Sequence, residues 1–422
     1  MEPEIAVNNR NLELFRPIQV SRNFTALWIG QSLANLGSAV LNVVLPIIAL
    51  SLGGSTLTIG WMMTLLMIPQ VILLPFSGIL ADRLPRVPMM IITDSVRFIL
   101  LGIVTFLAAM NRMTLMDLYL FAILFGAMQA LFQPAYAATR AQIFTKDIRN
   151  AANALTQASQ QLAMTLGPSL GGLIVGFSSG AFGLGVNALG FLVSTLSLMY
   201  VKVPVPVMEQ SDTPQPKTKI FQKLRNELLS GYFELRKHDW LWVTILAFSF
   251  INILGRGMIV VVLPWLINIH LNFPSYIFGI VSSAAAVGAL VMSFLFGSRR
   301  TWKHRGILAY LGVAISAAAL VCLTFASWIP MIVVIMAIHG AGYMLFGLIW
   351  EVSLQELVPH EAYGRVVSLD IFGSIALLPL GYILTGWLAE NIGGLWTIGI
   401  SSALVLIIVA FALSFPAIRK FE

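Results

Sequence analysis

The chain is a succession of apolar runs, each long enough to cross a lipid bilayer, separated by short breaks of charged residues, glycine and proline. A spanning helix needs about 20 predominantly apolar residues. Twelve runs meet that length: 24–50, 58–81, 88–110, 114–138, 150–177, 180–201, 241–268, 275–298, 306–327, 330–352, 366–389 and 394–415. Lipid, rather than a soluble core, is the partner this surface needs. Of the 422 residues 58% are hydrophobic and 10% charged, whereas soluble domains carry about 25% charged residues. Only helices and closed barrels satisfy their backbone in hydrocarbon, and runs of this length read as helices. The expected fold is an all-α membrane protein with twelve transmembrane helices.

The basic residues orient it. Twenty-two of the 25 Lys and Arg residues fall in the two tails and in the connections that follow even-numbered spans. The opposite connections hold Arg112, while Arg97 and Arg256 lie within spans. By the positive-inside rule both termini and the long central connection face the cytoplasm, in a bacterial-type cytoplasmic membrane. An odd number of helices would break this alternation. The net charge of +7 then reflects loops facing anionic lipid, with no nucleic acid as partner. Residues 1–22 are polar and lack an apolar h-region, so the first run is expected to span rather than to be cleaved. A single cysteine, Cys322, and five scattered histidines leave no disulfide framework and no expected metal centre.

Residues 203–239 form the one long polar connection, with Pro204, Pro206, Pro214 and Pro216 ahead of a Lys-rich stretch. They divide the chain into a tail (1–22), a six-helix bundle (23–202), a linker, a second six-helix bundle (240–416) and a tail (417–422). Within the linker, 221–235 reads equally as an amphipathic surface helix and as a solvated connection. The halves carry weak internal symmetry. Tight basic turns open at Gly78 and at Gly297, and Gln142 and Gln355 precede Pro168 and Pro379 by 26 and 24 residues.

These residues resemble the major facilitator superfamily. Gly78-Ile-Leu-Ala-Asp82-Arg83-Leu-Pro-Arg86 looks like its loop 2–3 motif, Gly-x-Leu-Ala-Asp-Arg-x-Gly-Arg-Arg/Lys, with Pro85 in place of a glycine and Val87 in place of the last base. Gly167-Pro168-Ser-Leu-Gly171-Gly172 resembles the core of the antiporter motif associated with exporters. Asp94-Ser-Val-Arg97, Asn150-Ala-Ala-Asn153, Leu354-Gln355-Glu-Leu-Val-Pro359 and Gly364-Arg365 are similar to a branch that includes macrolide efflux and enterobactin exporter proteins. The resemblance implies two pseudo-symmetric six-helix bundles working by alternating access. It implies a secondary active exporter of a small amphipathic molecule, coupled to protons, surrounded by lipid, monomeric and without a cofactor. It further implies that spans 1, 4, 7 and 10 line a central cavity. Asp82, with Arg83, Arg86 and Arg365 nearby, would latch the cytoplasmic side.

The residues themselves add detail. Asp94 and Arg97 stand three apart on one helical face and can pair. A structural ion pair near the gate and a substrate contact are both open, and Asp370 and Glu351 are candidates for the same network. Pro168 removes one backbone hydrogen bond, and its flanking glycines permit close helix approach. Polar residues recur at helical spacing on the four spans in question. They are Gln31, Asn35, Ser38 and Asn42; Gln129 and Gln133; Ser249, Asn252 and Arg256; and His339 with Tyr343. Such stripes face protein or water, so Gln31, Asn35, Gln129, Gln133, Asn252, Arg256, His339 and Tyr343 are the substrate-binding candidates, with interhelical hydrogen bonding the alternative for each. Arg256 cannot shed its charge and needs a carboxylate, water or an anionic ligand. Export of an anionic product, such as a siderophore or a lipid-like acid, is therefore the second reading. Ser38 and Asn187 stand where relatives of this branch often carry acids, so the first half shows no evident coupling carboxylate there. No phosphate loop and no catalytic constellation occurs, and the chain does not read as an enzyme.

Overall fold

The computed structural model describes residues 14–83, 85–145, 147–203, 232–298 and 302–422. Twelve long helical segments account for nearly all of them. Six precede the linker: α1 (Arg22–Ser51), α2 (Thr56–Arg83), α3 (Arg86–Ala109), α4 (Leu115–Ile143), α5 (Arg149–Phe177) and α6 (Gly180–Met199). Six follow it: α7 (Asp239–His270), α8 (Ser275–Gly297), α9 (Arg305–Leu323), α10 (Ile329–Leu357), α11 (His360–Ile375 continued by Leu378–Asn391) and α12 (Gly394–Ser414). Most of the linker reading at 221–235 lies outside the described residues; 232–236 are helical.

Eleven of these helices are long and apolar enough to cross a membrane. The remaining one, α5, is long enough at about 43 Å for 29 residues, but its first half carries Asn150, Asn153, Gln157, Gln160 and Gln161. Local chemistry sets several ends. Ser21 Oγ accepts from Phe24 N at 3.2 Å, and Ser179 Oγ accepts from Phe182 N at 3.1 Å. Thr114 and Asp117 close a reciprocal capping box. Helices α4 and α10 run five residues beyond their apolar runs, because a helix persists past the bilayer wherever its polar end is solvated. Pro379, lacking an N–H, coincides with the break in α11 at 376–377.

The chain divides into two compact units, one of Met1–Val205 with Asn272–Ser283 and one of Pro206–Leu271 with Ala284–Glu422. In the first, α1 packs on α5 and α6, α3 on α4 and α6, and α2 on α4. Asn23 Nδ2 donates to Lys202 O at 2.8 Å, and Lys202 N donates back to Asn23 Oδ1 at 3.0 Å. The entrance of α1 and the exit of α6 thus share one end of the bundle, as an even number of crossings requires. In the second unit Phe421 stacks on Trp240 at 4.5 Å, Gly306 N donates to Phe421 O at 3.1 Å, and Arg305 pairs with Glu356 at 2.7 Å. The starts of α7 and α9, the end of α10 and the last residues again meet at one end.

Each unit has its own apolar interior. In the second, Phe248 and Phe346 stack at 3.6 Å beside Tyr310 and Trp350. The outward faces are apolar as well: Phe106, Phe177, Phe294, Phe325 and Trp396 are all strongly exposed. Exposed apolar surface on this scale is tolerable only against lipid.

Candidate functional site

In the second unit four of the sequence-derived candidates converge. Asn252 and Arg256 stand one turn apart on α7, and His339 and Tyr343 one turn apart on α10. With Ser316 of α9 they line a cavity of about 250 Å³ whose walls include Ile251, Val313, Leu320 and Val405. Tyr343 Oη donates to Asn252 Oδ1 at 3.0 Å. Ser316 Oγ and His339 Nδ1 are 2.7 Å apart, with the donor set by the imidazole tautomer. Arg256 is exposed at the rim. It lies beside the Tyr382 hydroxyl of α11 and forms no ion pair among the described residues. Two residues further on, α7 widens into a π-helical turn, Met258–Val262, and Met258, Ile259 and Val260 join the lining. Such turns re-aim side chains and recur at functional sites. An apolar cavity of 150 Å³ holds benzene. This larger one, with amide, phenol, imidazole and guanidinium groups on its lining, suits an amphipathic molecule.

In the first unit the polar residues make a closed cluster. Asp94 is fully buried. Its Oδ2 accepts from Ser194 Oγ of α6 at 2.6 Å and from Gln31 Nε2 of α1 at 3.4 Å, and Gln31 also donates to Ser194 Oγ at 2.8 Å. Arg97 Nη1 is 3.3 Å from Asp94 Oδ1. The guanidinium donates to Met128 O at 3.0 Å and sits over the faces of Phe132, Phe191 and Phe125 at 4.8, 5.2 and 5.7 Å. Gln31 is therefore buried and committed to Ser194 and Asp94. Asn35 and Gln129 are half-buried, while Gln133 and Asn42 are exposed. Ser38 donates to Ala34 O within α1. Asn187 is fully buried against Gly37, with both amide atoms unpartnered.

The motif residues fall into three groups. Gly167 packs on Ala39, and Gly171 on Val40 and Val43 of α1. Gly172 meets Gly279 of the first unit so closely that an added Cβ would clash with its backbone. Pro168 leaves α5 continuous, and Ser169 and Ser283 hydrogen-bond at 2.5 Å. Gly78, Asp82 and Arg83 lie in α2, Arg86 opens α3 and Arg365 lies in α11; the surroundings of Gly78 and the side chains of Asp82, Arg83 and Arg365 are outside the described set. Asp370 accepts from Trp350 Nε1 at 3.1 Å, while Glu351 accepts from Gln355 and Tyr363 at 3.0 and 3.3 Å. Ser194 and Ser316, which complete the two clusters, were not singled out from the sequence. A lone hydroxyl in an apolar run signals only a possible interhelical bond.

Helices in two units, with polar side chains gathered inside and apolar ones outside, define a multi-pass helical membrane protein. The family model described as Major Facilitator Superfamily matches residues 27–254 and 245–421. The chain belongs to that superfamily, as its motifs imply. It is 24% identical over 405 residues to the multidrug efflux pump Tap of Mycolicibacterium fortuitum, covering 92% of this chain and 94% of that one. It is 22% identical to macrolide efflux protein A of Streptococcus pyogenes, covering 94% and 97%. With the enterobactin exporter EntS of Shigella flexneri the identity is 23%, covering 92% and 92%. Among solved structures, a bacterial homologue of the iron transporter ferroportin in an inward-facing state superposes with a TM-score of 0.70 at 16% identity, covering 93% of this chain and 99% of that one.

Proposed function

We propose that the protein is a secondary active exporter of a small amphipathic molecule, working by proton antiport and alternating access. In this reading it sits in a bacterial-type cytoplasmic membrane with both termini in the cytoplasm. The observation that carries it is the second-unit cavity, apolar in its walls and polar at Asn252, Arg256, His339 and Tyr343, in a chain similar end to end to proteins named for efflux. Apolar walls take the body of such a molecule, and a few placed polar groups orient it. Expression in an efflux-deficient bacterium tests this with a panel of ethidium, a macrolide and a catechol siderophore. Expressing cells accumulate severalfold less of at least one compound, and a protonophore abolishes the difference. Extrusion that persists after the proton gradient collapses counts against antiport, and equal accumulation across the panel counts against export.

A second reading is favoured by one observation: Arg256 offers a full positive charge at the cavity without a carboxylate partner among the described residues. It makes the exported molecule an anionic product, such as a siderophore or a lipid-like acid. The similarity to an enterobactin exporter points the same way.

A further inference from the structure

Asp94 is the only fully buried carboxylate among the described residues. It lies eight residues into α3, about 12 Å from the start of that helix. Its ionised form is under-supported. Oδ2 has one short bond, from Ser194, and one long one, from Gln31. Oδ1 faces Arg97 at 3.3 Å but has no hydrogen bond. A buried carboxylate without a full set of donors is costly.

Its neutral form is well provided for. Gln31 Nε2 already donates to Ser194 Oγ at 2.8 Å, so Ser194 can accept a second bond from a carboxyl O–H at the existing 2.6 Å separation. The serine hydroxyl then turns to a carbonyl one turn back in α6. Without the negative charge the guanidinium keeps the Met128 O bond and three aromatic faces, which hold Arg97 independently of Asp94, while its Nε has no hydrogen bond among the described residues in either case. Among the described residues Arg97 is the one charged group acting on Asp94; α1 contributes Gln31, α6 contributes Ser194, and none of the titratable groups of α4 acts on it. Asn187 adds a second, independent sign. It lies seven residues before Ser194, on the same face of α6, buried with both amide atoms unpartnered. Buried polar groups of that kind find partners in water or in a rearranged helix pair.

We propose that Asp94 is the proton-binding group of the transport cycle. When the α1–α6 seam opens to water on one side, the carboxylate takes one proton and becomes a neutral carboxyl. When the seam opens on the other side, the carboxyl returns that proton to water. The hydrogen bond to Ser194 reverses direction in between, and Arg97 keeps its charge throughout. With the α1–α6 seam closed Asp94 is sealed from water, which prevents leak. This deepens the antiport reading of the preceding section and rests on it.

Infrared difference spectroscopy on the full chain in lipid nanodiscs, titrated between about pH 5 and pH 9, reads the site without any substrate. The wild type shows a protonated-carboxyl C=O band that grows as pH falls. The band is missing in Asp94→Asn and displaced in Asp94→Glu, and Ser194→Ala moves its midpoint. Absence of a titrating band in the wild type, or its survival in Asp94→Asn, overturns the proposal. In the ethidium, macrolide and siderophore assay, Asp94→Asn loses at least tenfold of the protonophore-sensitive extrusion and Asp94→Glu keeps part of it; full retention in Asp94→Asn also overturns it. If the wild type extrudes none of the panel, the export reading fails, while the spectrum still decides whether Asp94 binds the proton.

Discussion

Arg256 shows how far a single side chain can be read. An arginine about fifteen residues into a spanning helix cannot neutralise itself, so the sequence already demands a partner. In the structure that partner is a phenol, Tyr382, which leaves the positive charge without a carboxylate among the described residues and the guanidinium exposed at a 250 Å³ cavity. A charge-assisted bond to a ligand carboxylate contributes about 1.5–3 kcal/mol, or roughly 10- to 100-fold in affinity. The cavity is larger than the about 150 Å³ that holds benzene, so the two-ring 2-naphthoate and its neutral isostere 2-naphthamide form a matched pair of probes. Calorimetric titration of Arg256→Gln is expected to weaken 2-naphthoate by that factor and 2-naphthamide by less than about threefold. Equal losses for both would remove the case for an anionic cargo. The same scale marks where sequence reading stops. Helical spacing established that Gln31, Asn35, Ser38 and Asn42 share a face, but not what the face meets. Gln31 ends on Asp94 and Ser194, Asn42 is exposed, and nothing in an apolar run distinguishes Ser194 or Ser316 from an ordinary packing serine.

Among the helices, α10 both carries the site and sets its geometry. Gly340 lies beside His339, and a Cβ on it would run into the Ala285 carbonyl of α8; reciprocally, a Cβ on Gly288 would meet the Ala337 carbonyl. Gly342 makes the same close approach to Gly312 of α9. These approaches hold α10 at the depth where His339 reaches Ser316 and Tyr343 reaches Asn252. Without a hydrophobic force between helices in lipid, close backbone packing of small residues is a main source of association. Gly347, on the same helix, faces open space. Gly340→Val should therefore lower the apparent melting midpoint of the purified protein by several degrees, as overpacking costs about 1–3 kcal/mol. Gly347→Val should leave it within about a degree. Matching losses in the two variants would mean that valine in the helix, rather than the crossing, is responsible. The spans themselves were legible because apolar length is a direct physical requirement of the bilayer. The π-helical turns of α7 and the glycine crossings were not, because both depend on what a neighbouring helix presents.

Across the whole molecule, orientation is the property that charge should govern. Lys and Arg in short connections are retained on the cytoplasmic side during insertion, and here they sit almost wholly in the tails and the connections after even-numbered helices. The structure supplies the alternation independently within each unit. Asn23 meets Lys202 at one end of the first, and Trp240, Arg305, Glu356 and Phe421 meet at one end of the second. What remains is which end faces the cytoplasm, and the single cysteine makes that measurable. Cys322 is exposed, so Cys322→Ser gives a clean background. Arg112 is exposed in the turn between α3 and α4, and Lys303 is exposed between α8 and α9. Each is then replaced by cysteine in turn and treated with a membrane-impermeant maleimide. Arg112→Cys should label in intact spheroplasts and be protected in inside-out vesicles, and Lys303→Cys should do the reverse. The inverse pattern would place both termini outside and overturn the charge argument. Labelling of both sites from the same side would be worse for the fold, since α3 and α8 each end where an even-numbered topology puts their following turns on opposite faces of the membrane.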